Sequence, residues 1–233
     1  MALPFFYLPK LVNEDILHLD EANSRHVVAV LRMAEGEEIN ITDGKGNLYT
    51  AAIISPHKKK CAVKLTGKQF EARNNVLVTI AISPVKNVSR MEWFLEKATE
   101  IGVAEIIPLI CHRTEKMHFR FERMQQIIIS AMLQSQQVWL PRLHEPELFN
   151  TVIDKKGFGR KWIAHCLPEE RKSLREQGAA QNAQLLLIGP EGDFTPEEIQ
   201  QALALQCEPV MLGDNRLRTE TAGMVGATLL CVR

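Results

Sequence analysis

The stretch LLLIGPEGDF, residues 185–194, decides the fold of this chain. Its run of large aliphatic residues predicts a strand that is buried on both faces, as in a parallel sheet covered by helices. A helix start follows, because Thr195 can cap the helix, Pro196 suits the first helical position and Glu198 can complete a capping box. Open α/β sheets bind ligands where such strands end. Taken alone, the stretch is explained equally well by an ordinary strand–turn–helix connection.

A second strand end follows further along the chain. Residues 210–213 (VMLG) predict another short apolar strand, and glycine ends both strands, at Gly189 and Gly213. A polar segment, NRLRTETA at 215–222, comes next, and the small apolar residues 223–232 predict a helix that packs closely against a neighbour. Because glycine has no Cβ, the main chain at both strand ends can approach a bound molecule. The sequence therefore predicts a binding site between the two strand ends and the polar segment.

Four motifs carry a family resemblance: RHVVAVLR at 25–32, EKATEIGV at 96–103, IGPEGDF at 188–194 and LGDNRLRTETA at 212–222. On these motifs, in this order, the chain resembles the RsmE family, which are bacterial 16S rRNA (uracil-N3)-methyltransferases of the SPOUT class. The resemblance implies an α/β protein with a small N-terminal PUA-like β-barrel. It further implies a C-terminal SPOUT domain with a mostly parallel sheet and a deep C-terminal trefoil knot. S-adenosylmethionine as cofactor, 16S rRNA in the 30S subunit as substrate and a homodimer are implied as well.

The composition limits the function classes. Lys and Arg together number 28, as do Asp and Glu, so the formal net charge is zero. Nucleic-acid-binding proteins often carry excess positive charge, so RNA binding would require a local basic patch. The five cysteines are scattered without a C-x-x-C pair, which favours reduced thiols in a cytoplasmic protein. We expect no membrane span, since no apolar run is long enough to cross a bilayer.

The texture of the sequence becomes polar around residues 70–75, where we place a domain boundary. This gives a PUA-like β-barrel RNA-binding domain at 1–72 and a SPOUT methyltransferase domain at 73–233. In the first domain, residues 37–54 predict a β-hairpin around a glycine-rich turn, and residues 61–65 predict one more strand.

A short helix is predicted over residues 24–33 by its apolar face. Arg25 and Arg32 lie seven residues apart and would share one face of this helix. Two solvated arginines are the alternative. The resemblance favours RNA contact, because the matching family segment belongs to the PUA-like barrel.

Strands alternate with helices in the second domain, which favours a mostly parallel sheet covered by helices. The predicted strands span 76–82, 105–110, 162–166, 185–188 and 210–213. One helix is predicted to begin at its cap Ser89 and to end at Gly102. Further helices are predicted over 124–138, from within 168–176, from Pro196 and over 223–232.

The densest basic stretch of the chain follows the strand at 105–110. It interleaves cationic and aromatic residues, namely His112, Arg113, Lys116, His118, Phe119, Arg120, Phe121 and Arg123. Single-stranded RNA is bound by such mixtures, because bases stack while cations hold phosphates. A solvated loop that leads into a helix explains the stretch equally well. We predict RNA contacts at Arg25, Arg32, Lys86 and Arg113.

Several common sites lack their motifs. The chain has no G-x-G-x-x-G, P-loop, H-E-x-x-H or G-x-S-x-G motif, and we expect no metal. The alternative hypothesis of an enzyme that uses a phosphate-bearing nucleotide is supported only by the glycine-rich turns. Carried over from the RsmE resemblance, contacts to S-adenosylmethionine fall on Leu167, Ile188, Gly189, Gly192, Leu212, Gly213, Leu217, Arg218, Thr219 and Ala222.

Transfer to uracil N3 requires that this weakly acidic nitrogen lose its proton, and preorganised cations stabilise the anion that develops. We predict this role for Arg218, beside the cofactor loop. Glu220 either accepts a proton, fixes Arg218 or is a buried, paired acid, and no general base is assigned. Gln137 stands where the family has arginine. With the zero net charge, this departure motivates an alternative: an RNA-binding module of the same fold without transfer activity.

Overall fold

The computed structural model describes residues 3–10, 15–115, 119–167, 170–177 and 182–232. The chain divides into two compact units by its internal contacts. Unit 1 comprises Met1–Arg73 and Met132–Leu140, and unit 2 comprises Asn74–Ala131 and Pro141–Arg233.

Unit 1 is built on a five-stranded sheet with the strand order β1-β3-β4-β5-β2. The strands are β1 (Phe5–Tyr7), β2 (Ile16–His18), β3 (Glu38–Thr42), β4 (Asn47–Ser55) and β5 (Ala62–Phe70). β1 pairs with β3 in parallel, and the other pairs are antiparallel. The predicted hairpin is confirmed as β3 and β4. Its turn is closed by Asp43, whose carboxylate accepts hydrogen bonds from the main chain of Lys45 and Asn47.

The helix predicted over 24–33 is shorter and less regular than expected. α1 (Glu21–Arg25) starts at the cap Asp20 and continues into a π-helical turn at His26–Val30. Arg32 lies beyond this turn with a left-handed φ of 57°. The prediction that Arg25 and Arg32 share a helix face is therefore wrong, because the wider π turn and the left-handed residue break the 3.6-residue period.

Residues 132–140 pack within unit 1, which the sequence did not indicate. The indole of Trp139 donates a 2.9 Å hydrogen bond to the carbonyl of Glu71 and packs edge-on against Phe70. A Cβ on Gly46, which has a φ of 92°, would lie 2.5 Å from the Trp139 ring. Glycine is thus required at this position both by its backbone conformation and by the close approach of the indole.

Unit 2 is built on a sheet in which every strand pair is parallel. Its strands are β6 (Val78–Ile82), β7 (Glu105–Ile110), β8 (Arg142–Leu143), β9 (Glu147–Leu148), β10 (Arg160–Ala164), β11 (Lys172–Ser173), β12 (Gln184–Ile188) and β13 (Cys207–Met211). The order is β11-β13-β10-β12-β6-β7-β8, and β9 pairs with β7 beside this path. The predicted α/β fold with a mostly parallel sheet is confirmed. All residues of β6 and β12 are buried, as expected of central strands of a parallel sheet.

The remaining α-helices follow α1 along the chain. They are α2 (Val88–Ile101), α3 (Phe121–Gln134), α4 (Phe149–Ile153), α5 (Pro196–Ala204) and α6 (Thr219–Cys231). No helix in the described ranges is long and apolar enough to cross a membrane. The trefoil knot stays a prediction.

Local signals fixed some helix ends and misled at others. The capping box of α5 is confirmed, with reciprocal hydrogen bonds between Thr195 and Glu198. The predicted cap Ser89 is wrong, because the side chain of Asn87 caps α2 by accepting from the Ser89 main chain. α3 ends before Gln136, which has a left-handed φ of 55°.

The helix that was predicted to start within 168–176 is not formed over residues 172–176. Lys172–Ser173 instead adds the edge strand β11 to β13, and a single 3₁₀ turn follows at Leu174–Glu176. Residues 168 and 169 lie outside the described residues. Pairing with an available sheet edge has overridden the local helical preference here.

Two glycines let α6 pack directly on the strands and on α2. A Cβ on Gly223 would lie 2.7 Å from Ile82 Cδ1 and 2.7 Å from Phe94 Cε2. A Cβ on Gly226 would overlap the side chain of the buried Leu186. The predicted small-residue helix therefore makes its close contact within the chain, and this contact fixes the position of the α6 start.

We expect Gly223→Ala to destabilise the protein. Overpacking a buried site costs about 1–3 kcal/mol, while alanine regains about 1 kcal/mol of helix propensity over glycine. Because the added Cβ would lie only 2.7 Å from two buried side chains, we expect the upper end of this cost and a net loss of unfolding free energy of about 1–2 kcal/mol, measured by urea denaturation. Thr228→Ala on the exposed side of the same helix is the control and should change it by less than about 0.5 kcal/mol. Equal stabilities of the two variants would contradict the close packing.

Candidate functional site

A cavity of about 470 Å³ opens where β10 and β12 end and α6 begins. Its lining comes from Ala164 and Cys166 at the end of β10, from residues 188–191 with Asp193 at the end of β12, from residues 216–219 with Ala222 around the start of α6, and from Arg90 on α2. The volume falls within the range of about 300–1,000 Å³ that is usual for small-molecule and cofactor sites. The location, at the carboxyl ends of parallel strands, is where such sheets bind ligands.

A smaller chamber of about 80 Å³ adjoins it at the end of β13. Residues 210–213 and Asn215 belong to this small chamber, while Ala164, Cys166, Arg216, Leu217 and Ala222 line both spaces. Residues 213–216 are exposed, and in the described part of the chain the peptide groups of 213–217 make no main-chain hydrogen bond between loops. These peptide groups are available to a ligand that is recognised through main-chain N–H and C=O groups.

The end of β12 is tied to its neighbours by main-chain carbonyls. The Ile188 carbonyl accepts a 3.0 Å hydrogen bond from the main chain of Ser83. The Gly189 carbonyl accepts a 3.1 Å hydrogen bond from the buried hydroxyl of Thr219. The first residue of α6 is thus attached directly to the strand end that lines the cavity.

Asp193 connects the loop after β12 with the loop after β10. It has a left-handed φ of 64°. The carboxylate accepts 2.8 Å hydrogen bonds from the main chain of Cys166 and of Phe194. Sequence reasoning quoted this residue within a motif but did not assign it to the site. An aspartate after a Gly-x-x-Gly turn was the available signal, because Asp tolerates left-handed φ and caps nearby N–H groups.

The three glycines at the strand ends serve different purposes. A Cβ on Gly189 would lie 3.0 Å from the ring of Phe194, so this glycine is needed for core packing. A Cβ on Gly192 would make an ordinary 3.5 Å contact with Arg113. Gly213 lines the small chamber with a φ of 156°, and an added Cβ would meet nothing within 4 Å. Only Gly213 has the geometry expected of close approach by a ligand.

Most of the predicted cofactor residues come together around the two chambers. Eight of the ten line one chamber or the other: Ile188, Gly189, Leu212, Gly213, Leu217, Arg218, Thr219 and Ala222. Leu167 instead packs against the apolar core of unit 2. Gly192 lies beside the cavity, and its carbonyl accepts a 2.8 Å hydrogen bond from Arg113. A cofactor role for these two residues stays a prediction.

Five charged side chains line the larger chamber: Arg90, Glu191, Asp193, Arg216 and Arg218. Arg218 is exposed and occupies the position just before the first turn of α6. Glu220 is buried, and one of its carboxylate oxygens lies 3.6 Å from the Arg90 Nε. The geometry therefore joins Glu220 to Arg90, a residue that sequence reasoning did not single out.

The predicted RNA-binding residues are distributed over both units. In unit 1, Arg25 forms an exposed 3.6 Å ion pair with Glu21, and Arg32 is exposed. In unit 2, Lys86 lies 2.6 Å from Glu115, and this hydrogen-bonded carboxylate raises the pKa of the lysine.

Arg113 has a structural engagement that the sequence did not indicate. One guanidinium nitrogen donates to the carbonyls of Gly192 and Phe194, at 2.8 and 3.3 Å. It thereby braces the loop after β12. Lys116 and His118 of the same basic stretch lie outside the described residues.

The fold and the strand-end cavity are those of an RNA methyltransferase. A family model for an RNA methyltransferase domain matches residues 72–231, and one for an RNA methyltransferase PUA domain matches residues 19–66. The N-terminal sheet is accordingly PUA-like.

Similar proteins narrow the family. The crystal structure of a probable rRNA-methyltransferase from Porphyromonas gingivalis is 37% identical, with a TM-score of 0.91, over 97% of this chain and 96% of that one. Ribosomal RNA small subunit methyltransferase E from Neisseria gonorrhoeae, bound to S-adenosyl methionine, is 29% identical, with a TM-score of 0.87, over 97% and 96%. Its namesake from Synechocystis is 29% identical over 97% of this chain and 76% of that protein. The chain belongs to the RsmE family of RNA methyltransferases.

We expect Gly213→Val to weaken cofactor binding, because the added side chain would enter the small chamber. Affinity for S-adenosylhomocysteine, measured by calorimetry, should fall by about tenfold or more, which is about 1.4 kcal/mol or more. The matched control is Gly157→Val. Gly157 also has a positive φ, of 92°, and open space around its Cβ, but it lies outside both chambers. Unchanged affinity of Gly213→Val would contradict the prediction, and an equal loss in both variants would assign the loss to backbone strain and not to the chamber.

Proposed function

We propose that this protein transfers the methyl group of S-adenosylmethionine to N3 of a uridine in 16S rRNA. The observation that carries the proposal is the cavity at two neighbouring strand ends, closed by an arginine-bearing loop. The S-adenosyl methionine in the Neisseria gonorrhoeae relative supports it, since that structure matches nearly this whole chain.

The residues around the cavity suit S-adenosylmethionine. When bound, this cofactor supplies an electrophilic methyl group on a positively charged sulfur. The larger chamber is lined by two carboxylates, Glu191 and Asp193, and by three arginines, which suits a ligand that carries both a cationic sulfur and a carboxylate, as this cofactor does. Residues 213–217 present peptide groups that can recognise an adenine edge, and Gly213 leaves room for it.

Arg218 is the residue that we propose for charge stabilisation. Arg218 lines the cavity next to the buried Thr219 that anchors α6, and its planar guanidinium carries a delocalised positive charge. As the uracil N3–H bond breaks, negative charge spreads over the ring nitrogen and its flanking carbonyl oxygens. A cation at that place stabilises the anion as it develops.

Other parts of the proposal rest on the family resemblance. Residues 1–72 would act as the RNA-binding domain, with Arg25 and Arg32, and residues 73–233 as the methyltransferase domain with a C-terminal trefoil knot. Lys86 would contribute a further RNA contact. A homodimer that holds the RNA across two subunits, acting on the 30S subunit in the cytoplasm, completes the proposal.

The proposal is tested by incubating the protein with methyl-labelled S-adenosylmethionine and with 30S subunits from a strain that lacks this activity. We expect one labelled uridine in 16S rRNA, identified as 3-methyluridine by nuclease digestion and mass spectrometry. Cofactor binding without label in RNA would instead support an RNA-binding module that lacks transfer activity. Stabilisation by ATP or NAD, but not by S-adenosylhomocysteine, would favour a nucleotide-dependent enzyme.

We expect Arg218→Ala to lower the rate of transfer by about 10²–10³-fold, as when one stabilising donor is lost from an active site. Because Arg218 is exposed, the unfolding free energy should change by less than about 0.5 kcal/mol. Arg175→Ala, at an exposed arginine outside both chambers, is the control. Turnover by Arg218→Ala at the control rate would remove Arg218 from the mechanism.

A further inference from the structure

We propose that Arg90 is a second catalytic arginine, which contacts the acceptor uracil, and that buried Glu220 is the positioning residue that holds it. This inference rests on the proposed function, since it assigns residues to the same cavity. No motif in the sequence singled out Arg90. The arginine that the sequence analysis considered as a partner of Glu220 was Arg218.

The first observation is the placement of the two side chains. Arg90 lies in the first turn of α2, and Glu220 lies in the first turn of α6. Arg90 lines the larger chamber together with Arg218. Its Nε lies 3.6 Å from a Glu220 oxygen, and the exposed fraction of the side chain is 38% for Arg90 but 8% for Glu220. The pair thus joins a buried anchor to a group that reaches the cavity.

The second observation is that the buried carboxylate of Glu220 has few hydrogen-bond and ion-pair partners. Within the described residues, its contact with Arg90 is the one ion pair recorded for its side chain, and its Oε2 is buried with no hydrogen-bond partner. Burying a carboxylate with so few partners is costly. An apolar residue at this place between α6 and α2 would destabilise the fold less than the buried carboxylate does. A role through Arg90 explains why an acid stands there.

The chemistry of a guanidinium suits the proposed contact. Its planar N–H groups can donate to a uracil carbonyl oxygen, and that bond strengthens when the ring becomes an anion. The N3 proton leaves to solvent, and its electron pair remains on the ring. Two arginines, Arg90 and Arg218, would then flank the anion. Glu191, Asp193 and Arg216 also face this chamber, and they are left unchanged in every variant below.

The pH dependence of transfer separates this role from a purely structural one. If Arg90 stabilises the uracil anion, Arg90→Ala should lose about 10²-fold in kcat near neutral pH. The deficit should shrink as pH rises, because more of the uracil then ionises without help. Arg90→Lys, which keeps a cation without the planar fork, should retain part of the activity. Calorimetric affinity for S-adenosylhomocysteine should stay within about threefold of the wild type.

A double variant separates positioning from folding. Arg90→Ala leaves Glu220 buried without its cation, so this variant should be less stable in urea than the wild type. Arg90→Ala combined with Glu220→Gln should regain stability but should stay as slow in transfer as Arg90→Ala alone. Glu220→Gln alone should lower kcat because Arg90 is no longer held.

The matched control is Glu92→Gln, on the same helix. Glu92 pairs with Arg123 through two hydrogen bonds, one of them 3.0 Å from Nη2 to Oε2, and neither residue lines the cavity. Like the Arg90 variants, this variant removes an arginine–glutamate ion pair in which one partner lies on α2. Its transfer rate and pH profile should match those of the wild type.

The outcomes distinguish the two proposals. If the wild type transfers methyl groups and Arg90→Ala has the same kcat and pH profile, this inference is overturned while the proposed function stands. Recovery of transfer in the stable double variant overturns it as well, because Arg90 would then matter only for folding. If Arg90→Ala does not fold, Glu220→Gln and the double variant decide between the same results. Absence of transfer by the wild type overturns the proposed function and this inference with it.

Discussion

The hydrogen bond from the Thr219 hydroxyl to the Gly189 carbonyl holds the start of α6 against the end of β12. Both groups are buried, so breaking this bond would leave two polar groups without water or partner. On either side of Thr219, Arg218 and Glu220 owe their positions to it. The strand end and the charged groups of the cavity are thus one assembly, and neither can shift without the other.

Close packing of α6 reinforces that constraint. Gly223 and Gly226 admit the side chains of Ile82, Phe94 and Leu186 to the helix surface. Since protein interiors are close-packed, a helix without protruding side chains on this face is held at a fixed distance from β6, β12 and α2. The same contact brings the first turns of α2 and α6 together, and with them Arg90 and Glu220. Packing that serves stability therefore also sets the charge arrangement at the cavity.

Those parts of the fold that depend on local pattern were predictable from the sequence. The apolar run at Leu185 to Ile188 and the capping signals at Thr195 and Glu198 each act within a few residues, and the structure has them as expected. Four ordered motifs also identified the family, and eight predicted cofactor residues meet at the cavity. Sequence patterns capture such features because the residues concerned are neighbours in the chain.

Features that depend on distant contacts were missed. The π-helical turn after α1 breaks the spacing between Arg25 and Arg32, and no local signal separates it from an α-helix. Residues 132–140 pack with unit 1 because of Trp139, whose partners lie far away in sequence. Arg90 and Glu220 are separated by 130 positions, so only the fold shows that they meet.

A crystal structure grown with S-adenosylhomocysteine tests most directly whether this cavity is the methyl-donor site. We expect ligand density between residues 188–193 and 212–222, with the adenine against the main chain near Gly213 and the sulfur facing the larger chamber that Arg90 and Arg218 line. Density at another place on the protein, or side chains that fill both chambers while the ligand is bound elsewhere, would contradict the assignment.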